Sequence, residues 1–162
     1  MITWRAAQLE DVDGMVALSK HFYSNELDPT FDINPPKFHS AIAAAIIRRN
    51  YNLGTEVLQL AHSDGRLVAW TWMGRGLGLP YSETETAEAH IIHIDLGLST
   101  RQRVRIINDT LETWENWCKI LNIPVLISTS IRRDWLGFME LHRRRGWDVR
   151  GSHAFKIFKD SK

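Results

Sequence analysis

Two groups of residues in this 162-residue chain have the types and spacing to move protons or hold anions. The first is Glu88, His90, His93 and Asp95, which fall within or beside a β-rich run from Ala89 to Leu98. Imidazole titrates near neutrality, so a histidine beside a carboxylate can act as acid or base. Alternation along a strand puts His93 and Asp95 on one face and His90 on the other. His90 and His93 then point apart unless a bulge intervenes, and no metal site is expected. The second group is the basic turn Ser99-Thr100-Arg101-Gln102-Arg103-Val104-Arg105-Ile106. Ser99 or Thr100 can cap a helix there, and the three guanidinium groups can pair bidentately with phosphate. Further on, Leu141-His142-Arg143-Arg144-Arg145-Gly146-Trp147 ends a helical run with a single histidine and a stop glycine.

The elements that must position these residues are legible in the hydrophobic pattern. Ile2 to Arg5 reads as a strand, Leu9 to Tyr23 as a helix, and Lys37 to Arg49 as a second helix that begins after Pro36. Val57 to His62 and Leu67 to Met73 form a hairpin about Ser63-Asp64-Gly65. Gly74 to Glu88 is polar and glycine-rich and reads as a loop. From Val104 the apolar residues Ile107, Leu111, Trp114, Cys118 and Leu121 recur three and four apart, the cleanest helix in the chain. Val125 to Ser130 is the next strand, and Asp134 can cap a helix through His142. Asp148 to Gly151 and His153 to Phe158 close the chain as short strands. No repeat or linker interrupts residues 1–162, so one domain is expected.

Composition excludes several classes. One cysteine permits neither an internal disulfide nor an all-cysteine zinc site, and Cys118 falls on the apolar stripe of its helix as core rather than nucleophile. No apolar run is long enough to span a bilayer, and Met1 to Arg5 lacks a signal-peptide pattern, so a cytoplasmic protein is expected. Charge is uneven: residues 1–98 carry seven Lys and Arg against twelve Asp and Glu, residues 99–150 ten against six. A basic C-terminal half suits a phosphorylated ligand or nucleic acid, or is a set of solvated helix faces.

Element order and the ending of the last helix resemble the GNAT acyltransferases, whose corresponding helix closes on Leu-Tyr-x-x-x-Gly-Phe. The resemblance covers nearly the whole chain and rests on order more than on residue identity. It implies an α/β (α+β) fold with a central mixed sheet of about seven strands and about four helices, in the order β-α-α-β-β-β-α-β-α-β-β. It also implies an N-acyltransferase that moves an acyl group, most often acetyl, from acetyl-CoA as co-substrate to an amine. In the family the pantetheine arm runs where the strand matching Ala89–Leu98 splays from the next, and a glycine-rich turn holds the pyrophosphate at a helix N-terminus. The matching CoA-binding positions are Leu96 and Leu98 on the strand end and Ser99, Thr100, Arg101, Arg103, Val104, Arg105 and Ile106 in the turn. The family's glycines fall at Val104 and Ile106, so arginine side chains must replace amide contacts.

The family's tyrosine, which protonates the departing thiolate, corresponds to His142, an acid if charged or a packed core histidine if not. Asp95 or His93 is the candidate base. Trp70 and Trp72, two apart on one strand, are either core or a surface for an aromatic acceptor. Gly74-Arg75-Gly76-Leu77-Gly78 precedes Leu79-Pro80 rather than a helix, so it is no phosphate loop; Arg75 and its neighbours would cover the acceptor site. The compact size and divergent turn resemble bacteriophage-encoded GNAT proteins, which would place the chain in the host cytoplasm. The acceptor is then a small molecule, a host protein or a modified nucleobase, and a homodimer is compatible with the family. A second reading keeps the fold without catalysis, the arginine-rich face binding nucleic acid or an acidic partner.

Overall fold

The computed structural model describes residues 1–26, 33–76, 78, 80–132 and 135–151. Its elements follow the chain as β1 (Ile2–Ala6), α1 (Val12–Glu26), α2 (Pro35–Tyr51), β2 (Glu56–Ser63), β3 (Arg66–Arg75), β4 (Thr86–Ile94), α3 (Thr100–Ile120), β5 (Val125–Ile127) and α4 (Trp135–Arg144), with a 3-10 turn at Leu9–Asp11. The strands lie side by side in sequence order. All neighbours are antiparallel except β4 and β5.

Local chemistry fixes the ends. The Asn34 side chain accepts from the Lys37 N–H (3.0 Å), while Pro35 and Pro36 occupy helix positions whose N–H would find no partner. Asp64 and Gly65 both have positive φ, the conformation a tight two-residue hairpin needs between β2 and β3. α4 stops at Gly146 (φ 83°), with the Trp147 N–H returning to the His142 carbonyl at 3.1 Å.

Two apolar layers sandwich the sheet. On one face α1 and α2 bring Met15, Ile42 and Ile46 onto Leu58, Leu60 and Trp70. On the other, Ile106, Leu111 and Trp114 of α3 and Phe138 of α4 pack on Ala69, Met73, Ala87, Ile92 and Ile94.

β4 departs from expectation in two ways. It starts at Thr86, inside the expected loop, and ends at Ile94, because the Asp95 carboxylate accepts from the Gly97 N–H (2.8 Å) and turns the chain. It also carries a bulge: Trp72 faces Ile91 and Met73 faces Ala89, so His90 is an extra residue. The expected alternation is thereby corrected. The His90 ring lies 5.1 Å from Trp72 and the His93 ring 5.3 Å from Trp70, so both histidines share the face those tryptophans define. Its parallel pairing with β5 is only Thr86↔Val125, Ala87↔Leu126 and Glu88↔Ile127, so the two strands part from Ala89 on, as the resemblance implies.

Of the roughly seven strands expected for this architecture, five are present among the described residues. Residues 148–151 form no strand, and residues 153–158 lie outside the described residues. β5 is three residues long rather than six, since beyond Ile127 it has lost its neighbour. No described helix is long and apolar enough to cross a membrane.

Candidate active site

Beyond the Glu88↔Ile127 pair, β4 and the segment after β5 diverge and enclose two cavities. The inner one, about 90 Å³, lies between Ala89 to His93 on one side and Ser128 to Arg132 on the other. Phe22 and Tyr23 of α1, Trp114 of α3 and Phe138 of α4 complete its wall. The outer one, about 220 Å³, opens between the start of α3 and α4, against Leu96, Thr100, Arg103, Val104, Gly137 and Leu141. Phe22, Arg132 and Phe138 border both. Arg132 is the divider. Its guanidinium donates to the Ile92 carbonyl on the splayed side of β4 and sits 4.8 Å from the Phe22 ring and 5.0 Å from that of Phe138.

At the outer end, Ser99 caps α3 in a reciprocal box with Gln102: the Gln102 N–H donates to Ser99 Oγ (3.3 Å) and the Ser99 N–H to Gln102 Oε1 (3.0 Å). This is how α3 starts without the family's glycines. The basic turn divides by face. Arg103 and Thr100 line the outer cavity, and the buried Arg103 Nε has no hydrogen-bond partner among the described residues. Arg101 is exposed, and Arg105 faces outward toward Asp109 (3.8 Å). Leu98 and Ile106 are core. Arg103→Ala is therefore expected to weaken CoA binding by about tenfold, about 1.4 kcal/mol, and Arg101→Ala or Arg105→Ala by less than twofold; titration calorimetry on the three variants checks this.

The candidate acid and base residues have distinct surroundings. His93 is buried in a cage of Phe22 (stacked, 4.5 Å), Tyr23, Phe38 and Trp70. Its Nδ1 lies 2.6 Å from Ser19 Oγ, which also accepts from Trp70 Nε1 and donates to the Met15 carbonyl. Desolvation, helped by the Arg132 charge, lowers its pKa to about 3, so the ring is neutral at pH 7 and a feeble base. Asp95 pairs with Arg66 at the start of β3 and borders neither cavity. Burial opposes its ionisation, but hydrogen bonds from Arg66 and the Gly97 N–H outweigh burial and hold it below the usual carboxylate range. It closes a turn rather than facing the groove.

His142 is 1% exposed, with Nδ1 2.9 Å from the Phe138 carbonyl and Nε2 3.0 Å from Ser128 Oγ. Burial lowers its pKa more than Glu115 and the carbonyl raise it. Burial thus disfavours the charged ring, and the geometry is that of the packed alternative.

Other expectations change with the pairing. Trp70 is fully buried and touches no solvent, so it cannot meet a substrate; Trp72, half-buried, donates to Glu56 Oε2 (2.8 Å) beside His90. Arg75 stands opposite Ala87, at the end of β4 away from the divergence, and is held by Glu85 and the Gly54 carbonyl. Gly76 belongs to the same crossing: its N–H bonds the Thr86 carbonyl (2.7 Å), and a Cβ there would collide with the Thr86 and Glu88 side chains. The basic C-terminal half is largely paired internally, Arg143 and Arg144 with Glu140, Arg145 with Glu115, and Arg150 with Asp148. Among the described residues no group of three His, Cys, Asp or Glu side chains is placed to hold a metal.

Ser128, Arg132 and Tyr23 were not singled out from sequence, though Ser128-Thr129-Ser130 is a polar run at the carboxyl end of a strand, where open sheets place ligands.

No family model and no curated relative matches the chain by sequence. Solved structures do match by fold. An aminoglycoside N-acetyltransferase in complex with CoA superposes with TM-score 0.70 at 9% identity, covering 98% of this chain and 95% of its own. An aminoglycoside 6'-N-acetyltransferase from Acinetobacter haemolyticus gives 0.69 at 11%, covering 97% and 98%. A ribosomal-protein-alanine N-acetyltransferase from Brucella melitensis gives 0.65 at 12%, covering 98% and 99%. The chain has the α/β fold of the GNAT acetyltransferases.

Proposed function

We propose that the protein is an N-acyltransferase that moves a short acyl group, acetyl above all, from acyl-CoA to an amine. The observation that carries this reading is the groove between the diverging β4 and β5, parted by Arg132 from a cavity at the N-terminus of α3. Two polar groups suit such a ligand. Arg103 Nε, buried without a partner at the outer end, fits a phosphate oxygen, and the equally unpartnered Trp114 Nε1 in the wall of the inner cavity fits a carbonyl. When bound, the thioester supplies an activated acyl carbon. Leu96, Thr100, Arg103 and Val104 hold the far end of the molecule, and His90, which lines the inner cavity against Trp72, faces the acceptor.

The inner cavity favours acetyl over long chains. Its small volume, about 90 Å³, suits a short acyl group. The acceptor class follows from chemistry alone, an amine deprotonated enough to attack.

Calorimetric titration with acetyl-CoA, CoA and octanoyl-CoA tests the reading. Micromolar stoichiometric binding of the first two, with octanoyl-CoA weaker than CoA, is expected. Absence of heat and of a thermal shift with all three at millimolar ligand would remove CoA chemistry from consideration.

A further inference from the structure

We propose that Ser128 and His142 form a proton relay at the apex of the groove, Ser128 touching the reacting atoms and His142 acting through it as the positioning and proton-storing residue. The proposal rests on the acyl-CoA reading above and supplies what that reading lacks, a route for the proton between amine and sulfur.

The hydrogen-bond roles are fixed by exclusion. A carbonyl oxygen can only accept, so His142 Nδ1, 2.9 Å from the Phe138 carbonyl, carries the ring hydrogen. The neutral ring then has its lone pair on Nε2, 3.0 Å from Ser128 Oγ. Ser128 must donate its one hydrogen to Nε2, which leaves its oxygen lone pairs to accept, and the residue lines the inner cavity as well as a larger one that it shares with His142. This is the order of a polarised hydroxyl, a base and a group that orients the base. The T-shaped contacts of the ring with Phe138 (4.6 Å) and Trp147 (4.7 Å) hold that orientation. The charged groups near the ring, Glu115 of α3 and Arg145, pair with each other at 2.8 Å and largely cancel.

The other ionisable groups nearby are less suited. His93 is caged and bonded to Ser19, and Asp95 is paired outside the groove. The Tyr23 phenol keeps its proton, because burial raises its pKa, so it cannot take up the amine's proton.

The chemistry balances. The amine nitrogen bonds to the thioester carbon and becomes ammonium; its extra proton passes to Ser128 Oγ as the Ser128 hydrogen passes to His142 Nε2. The carbon–sulfur bond breaks, and the same path in reverse returns one proton to the thiolate. Amine and thioester become amide and thiol, with Ser128 and His142 restored.

The test uses Ser128→Ala, Ser128→Thr and His142→Gln in the full chain, with acetyl-CoA as donor and benzylamine as a small amine probe, thiol release being counted above the enzyme-free rate. In wild type, ring-nitrogen NMR should find His142 Nε2 unprotonated at pH 7. Ser128→Ala should keep the acetyl-CoA dissociation constant within twofold while thiol release falls about 100-fold. The acid-side decline of the wild-type pH profile should vanish in that variant, and Ser128→Thr should restore both rate and profile. His142→Gln should behave like Ser128→Ala if it folds; Ser128→Ala decides the matter if it does not. Unchanged thiol release in Ser128→Ala, or an acetyl adduct of 42 Da on Ser128, overturns the relay. So does a wild type that binds acetyl-CoA yet releases no thiol. Loss of acetyl-CoA binding in wild type overturns the acyl-CoA reading instead.

Discussion

Acidification from pH 6.5 to pH 4 is expected to destabilise this protein by about 3 kcal/mol through His93 alone, roughly 1.4 kcal/mol per pH unit. The unfolded chain binds a proton at this histidine below about pH 6.5. The folded chain does not until about pH 3, because the ring is sealed among Phe22, Tyr23, Phe38 and Trp70 and faces the charge of Arg132. A depressed folded pKa means that this stability is present above the unfolded value and lost as pH falls toward the folded one. His142, also held low by burial, adds in the same direction. Asp11, Asp95 and Glu115 are held low as well, but their unfolded values place their losses below about pH 4.5. The interval from 6.5 to 4.5 therefore belongs to the histidines. Urea unfolding at pH 7, 6 and 5 should show His93→Asn less stable than wild type at pH 7, yet with a distinctly flatter dependence. Parallel curves for the two proteins would acquit His93.

Arg132→Ala is expected to bind CoA about thirty- to a thousandfold more tightly than wild type. The guanidinium holds the Ile92 carbonyl and lies against two aromatic rings, so a ligand threading the groove must displace it. A charge-assisted hydrogen bond contributes about 1.5–3 kcal/mol and an exposed cation–π contact about 0.5–1 kcal/mol, which sets the size of the expected gain. The same truncation joins the inner and outer cavities. Calorimetry gives the affinity, and stopped-flow mixing should show a slow, concentration-independent phase in wild type that the variant lacks. Weaker binding in the variant would mean that Arg132 turns outward to pair with phosphate once the ligand is seated.

Periodicity was a good guide wherever one element's own residues decide its state. The three-and-four spacing through Ile107, Leu111, Trp114 and Cys118 is the buried stripe of α3, and Asp64-Gly65 is the turn it reads as. It was a poor guide where the outcome depends on a neighbour. β5 stops at Ile127 because β4 has moved away, and nothing in Ser128-Thr129-Ser130 itself forbids a strand. The site was legible in the same uneven way. Arg103 and His142 were visible as residue types at meaningful positions. Which of three arginines faces the groove depends on helix phase, and what His142 touches depends on the return of a distant segment. Arg132 was read only as one basic residue among many; its role comes from the two rings that meet around it.

The bulge at His90 sits two residues past the last β4–β5 pair, Glu88↔Ile127. An extra residue in one strand bends and over-twists it, and here the bend falls where β4 parts from its parallel neighbour. Ala89 and Ile92 both pack toward α3, while Ile91 and His93 face α1 and α2. Without His90 those residues would already form an unbroken two-residue alternation. Nothing else on the strand needs the insertion. The opening between the two strands thus begins beside a single inserted residue.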